Sequence, residues 1–209
     1  MTKEIFIVTG PRNTGKTHTV RYIVEKLVIR YMGKQWDNDY ITPLKVDFAI
    51  KWGTPKGFEV VGTVEISFNK DRLEEKKGNK KEQAHFAKLL DSNSSNSKVK
   101  IGACTLGDTS SFTDEINALI NDNCDIIICA CQNPSSNYKK SPDELYQELI
   151  KIASSYNQNT ETAIYNQYEK APIKYDIANK ILNEVCDLID KEMGFKSGVN
   201  TFFHVSTLP

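Results

Sequence analysis

Arginine is scarce in this chain. Four occur, Arg12, Arg21, Arg30 and Arg72, and none follows position 72. A guanidinium fork matches the oxygens of a phosphate, so an arginine-rich lid or acceptor site for a second phosphorylated substrate has little to be built from. A net charge is also missing. Lys and Arg together number 27 and so do Asp and Glu, which argues against a dedicated nucleic-acid binder with its usual basic excess. No run approaches the roughly 20 apolar residues that span a bilayer. The first residues carry no basic-then-apolar leader pattern, and the expected location is cytoplasmic, with no membrane partner. Cysteine is limited to an odd five, mostly in apolar runs, which predicts reduced, buried thiols rather than a disulfide framework. Cys129-Ala-Cys131 falls inside a continuous apolar strand with no second Cys/His cluster, so it does not read as a metal or redox pair.

What is present is the composition of a globular protein: 209 residues, 39% hydrophobic and 26% charged, enough for one domain with a real core. Short apolar runs alternate with segments of helical period. "KEIFIVT" (3–9), "KVKIGACTLGD" (98–108) and "CDIIICACQ" (124–132) read as buried strands, and 162–169 as a short last one. Residues 15–33, 111–122, 141–156 and 174–194 read as helices. "PLKVDFAIKWG" and "FEVVGTVEISF" flank "GTPKG", which predicts a hairpin over 43–68. A helix is expected near 81–91 and a polar loop over 91–97. The pattern predicts an α/β fold, a three-layer sandwich around a mainly parallel sheet. It forms one domain over 1–194, with the hairpin and a flexible excursion at about 43–98 and a tail at 195–209.

Between the first strand and the first helix lies "GPRNTGKT" (10–17), a match to G-x-x-x-x-G-K-[ST]. Small residues there let backbone N–H groups turn inward around a phosphate, and the following helix aims its positive end at the same anion. Lys16 can set a point charge on the terminal phosphates, and the Thr17 hydroxyl can ligate Mg²⁺. With these residues, Gly10, Gly15, Lys16 and Thr17, the chain resembles the P-loop NTPase superfamily. "KIGACTLGD" and "CDIIICAC" also look like segments of small uncharacterised bacterial P-loop ATPases, and size and element order are nucleotide-kinase-like.

The resemblance implies the P-loop NTPase fold and binding of a nucleoside triphosphate with Mg²⁺ through Gly10, Arg12, Asn13, Thr14, Gly15, Lys16, Thr17 and His18. No N-K-x-D guanine motif is present, which favours ATP over GTP. A carboxylate at the end of a neighbouring strand usually holds or activates metal-bound water. Asp108, after "KIGACTLG", is the candidate, catalytic with Lys16 and metal-binding with Thr17; the plainer alternative is a helix N-cap or turn Asp before "TSSFTDE". Asp125 begins its strand and belongs to the opposite edge. Asp47, Gln132 and Asn133 are secondary candidates. Three activities fit: a Mg-dependent ATPase or nucleotide switch whose missing arginine comes from a protein partner, a small-molecule, nucleoside-like kinase, and a nucleotide-binding module without turnover.

Overall fold

The computed structural model describes residues 3–32, 41–53, 57–68, 97–107, 111–132, 142–156, 163–166, 174–192 and 194. In chain order they form β1 (Glu4–Gly10), α1 (Lys16–Met32), β2 (Ile41–Gly53), β3 (Gly57–Phe68), β4 (Ser97–Gly107), α2 (Phe112–Asn121), β5 (Ile126–Gln132), α3 (Pro142–Tyr156), β6 (Ala163–Asn166) and α4 (Tyr175–Glu192). The helix expected near 81–91, all but the last residue of the polar loop at 91–97, and the tail at 195–209 lie outside the described residues.

The strands make one sheet in the order β2-β3-β4-β5-β1-β6. β4, β5, β1 and β6 run parallel. β3 is antiparallel to β4, and β2 to β3, so the hairpin extends one side of a parallel sheet. The reason β1 and β5 sit inside is legible in their residues. Apart from Glu4, Thr9 and Gln132 both are apolar without alternation, and every residue of both is buried, which only a strand covered on its two faces requires.

Successive β1 side chains feed two cores. Phe6 and Val8 join Val20 and Ile23 of α1 and Ile181 and Val185 of α4. Ile5 and Ile7 join Phe112 and Ile116 of α2 and Leu149 of α3. Two helices therefore cover each face, giving an α/β fold of three layers around a mostly parallel sheet. Near the far ends of α1 and α4, Arg30 Nη2 meets Asp190 Oδ2 at 2.9 Å.

At the amino edge of the sheet, Asp125 ties β4 to β5. Its carboxylate accepts the Lys100 N–H at 2.9 Å, and its own N–H donates to the Lys100 carbonyl at 2.7 Å. That places Asp125 at the edge away from the glycine loop, as expected of a residue that precedes its strand. All five cysteines are free and buried.

Candidate functional site

Residues 11–15 bridge the end of β1 and the start of α1. Asn13 (φ 61°) and Gly15 (φ 87°) both take left-handed backbone. Glycine reaches that region at no steric cost and asparagine is the side chain that tolerates it best. Left-handed residues within a turn are the geometry that brings successive N–H groups to one concave side. The loop is also closed on itself. The Pro11 carbonyl accepts the buried Thr14 hydroxyl at 3.0 Å and the Lys16 ammonium at 2.6 Å. The Lys16 side chain is thus folded back over the loop.

α1 continues from the loop, with the Thr19 N–H donating to the Gly15 carbonyl at 3.0 Å. The first turn of a helix leaves N–H groups outside its own ladder and carries a partial positive charge. In α2 and α4 that charge is met by acidic residues, Asp114, Glu115 and Asp176. α1 has no acidic residue in its first turn and begins with Lys16 instead. Lys16, Thr17 and His18 are half-buried at this end, while Arg12 and Asn13 are exposed.

The register shows what stands beside the loop. Gly10 pairs with Gln132, the buried last residue of β5, and Gly107 at the end of β4 pairs with Cys131. β5 therefore stands between the loop strand and β4, whose ends are about 10 Å apart at ordinary strand spacing. The pairing shifts between Cys104 and Gly107, so that β4 carries one residue more than β5 there. At this bulge the Thr105 hydroxyl accepts the Val60 N–H at 2.8 Å, a side chain standing in for a ladder bond. Gly107 lies so close to β5 that a Cβ would fall 2.0 Å from the Ala130 carbonyl oxygen. Only glycine fits.

Asp108 follows Gly107 in the chain and lies outside the described residues, as does Asn133. α2 takes Ser111 as its N-cap residue, without a side-chain cap hydrogen bond. Asp47 pairs with Thr63 in the hairpin, with β3, β4 and β5 between its strand and β1. At about 19 Å by strand spacing, it is not brought to the loop. Among the described residues no group of three or more His, Cys, Asp or Glu is gathered to hold a metal.

Beneath the loop, the Thr9 hydroxyl is fully buried without a hydrogen-bond partner. To one side, α4 begins against α1. The Lys174 N–H donates to Thr19 Oγ1 at 3.3 Å, and the Tyr175 ring meets Tyr22 edge-on at 5.2 Å between centroids. Gln132, a secondary candidate in the sequence, is set beside Gly10 by the β1–β5 register. Its signal was local and faint, a polar side chain ending the apolar run "IIICAC", and its adjacency to Gly10 is a property of the sheet alone. No protein-family profile, curated protein or solved structure matches this chain.

Proposed function

We propose that this chain is an ATP-binding protein of the P-loop NTPase fold that hydrolyses Mg-ATP, either as an ATPase or as a nucleotide switch. The observation that carries the reading is the loop itself. Two left-handed residues, a folded-back lysine and a helix start without an acidic residue all converge on one concave turn. A phosphate suits each of these: N–H donors, a cation and the positive end of a helix whose first turn holds no acidic residue.

In this reading the loop N–H groups and Lys16 hold the β- and γ-phosphates. Lys16 leaves a neutral carbonyl for a charged oxygen, which is the stronger acceptor. The Thr17 hydroxyl, at the head of α1, would hold Mg²⁺. That ion, when bound, neutralises charge on the phosphate oxygens. Asp108 is assigned to hold or activate the attacking water, from the chain position that follows the end of β4. Gln132, the last residue of the strand between β1 and β4, would orient it. The scarcity of arginine after Arg72 supports a switch completed by a partner protein over a kinase with its own lid.

The test is titration of Mg-ATP with phosphate release measured alongside. Lys16→Ala is expected to weaken binding at least ten-fold, in line with about 1.5–3 kcal/mol for a hydrogen bond to a charged group. Asp108→Asn is expected to bind ATP normally and lose turnover. Unchanged ATP affinity in the Lys16 variant overturns the proposal. Phosphate appearing only on an added nucleoside identifies a kinase, and binding without turnover identifies a module.

A further inference from the structure

Tyr175 is the one large hydrophobic residue exposed among the described residues, at 56%. The rest of α4 does not explain this. Its apolar positions Ala178, Ile181, Val185 and Ile189 are buried against the sheet, and Tyr175 stands ahead of that stripe. The ring is nonetheless held in place. It packs edge-on against Tyr22 at 5.2 Å, and Tyr22 is in turn covered by the Lys26 ammonium at 5.3 Å from its centroid. The neighbouring Lys174 N–H is bonded to Thr19. An exposed aromatic ring with a fixed neighbour is a pre-set stacking surface.

Its position relative to the phosphate loop decides what it would stack. Tyr22 is six residues beyond Lys16 on the same helix, so the Tyr22–Tyr175 pair lies about 9 Å along the axis from the residue that faces the phosphates. The Lys174–Thr19 bond and the Tyr22–Tyr175 contact set the start of α4 beside the first two turns of α1, about a third of a turn around the helix from Lys16, so a ligand held by its phosphates at residues 10–17 reaches Tyr175 by turning its other end onto that side.

We infer that Tyr175 is the stacking platform for the base of the nucleotide whose phosphates the loop holds. The inference rests on the ATP-binding reading above and adds a residue that distinguishes a nucleotide from an inorganic polyphosphate. Stacking uses the face of a base and reads none of its edges. Tyr175 thus contributes affinity for nucleoside triphosphates without choosing between adenine and guanine.

The experiment is calorimetric titration of wild type, Tyr175→Ala, Tyr175→Phe and Lys16→Ala with Mg-ATP, Mg-GTP and Mg-tripolyphosphate, with thermal unfolding of each. Tyr175→Ala should weaken ATP and GTP alike by roughly ten-fold, within the range of one base–aromatic stack. It should leave tripolyphosphate affinity unchanged and lower the melting temperature by no more than the few degrees that loss of the Tyr22 contact implies. Tyr175→Phe should bind as wild type. If Tyr175→Ala keeps its ATP affinity while Lys16→Ala loses it, the stacking inference fails and the loop reading stands. An equal loss of ATP and tripolyphosphate in Tyr175→Ala also overturns the inference. If neither variant changes ATP binding, both readings fall together.

Discussion

Pro11 lends its carbonyl to two donors, the Thr14 hydroxyl and the Lys16 ammonium. One backbone oxygen therefore sets both the closure of the loop and the resting place of its cation. The strand–loop–helix order around residues 10–17 was legible from the sequence because it is local, whereas the Pro11 carbonyl's part in it was not. Gln132 shows the opposite case. Nothing near position 132 names Gly10, which lies far earlier in the chain and becomes its neighbour only through the β1–β5 register. If Gln132 orients the reacting water, Gln132→Ala should lower phosphate release by up to about a hundred-fold, the scale of a small misplacement of reacting groups. ATP affinity should stay within two- to three-fold. Single-turnover hydrolysis together with ATP titration checks this, and equal losses in both would make Gln132 a binding residue instead.

Among the elements, the hairpin was readable from "GTPKG" because turn chemistry is written in Gly and Pro. The strand expected over 162–169 is described only as Ala163–Asn166. The β4 bulge was not readable. Thr105 and Leu106 are ordinary strand residues, and the extra residue shows only when β4 is laid against β5. Its effect falls on Gly107, where a methyl group would meet the Ala130 carbonyl at 2.0 Å and the Cys131 Cα at 2.5 Å. Neither backbone atom can move without moving β5. Gly107→Ala is therefore expected to cost about 1–3 kcal/mol, as overpacking in a core does. If Asp108 acts as proposed, turnover should fall further than ATP binding, because the displaced strand end leads directly into it. Thermal unfolding and paired binding and turnover assays measure both effects.

For the whole molecule, the alternation of strands and helices made the α/β class legible, while the strand order was not. Placing β5 between β1 and β4 is a tertiary choice, decided by which apolar faces fit together. The completed sheet also buries Glu4 at the start of β1, at 8% exposure. Burial first, and then the charge of Glu184, raise its carboxyl above the usual value of 4.5. Glu184 also accepts the Tyr165 hydroxyl. A carboxyl raised in the folded state favours folding most below pH 4.5, and that contribution is lost as pH rises through the higher folded value. Glu4→Gln should therefore melt higher than wild type at pH 7, with the advantage shrinking as pH falls toward 4.5. Melting curves of both proteins across this window test it, and a constant offset would remove Glu4 as the cause.

The five thiols carry a consequence of another kind. All are buried, with burial pushing Cys124 up to about 12 and Cys129 well above its usual value. Protonated and enclosed, they are poor nucleophiles while the chain is folded. A small alkylating reagent can consume them only when the structure opens. The rate at which free thiol disappears from a native solution is then a clock for that opening, readable without a denaturant and present in the chain as it is made.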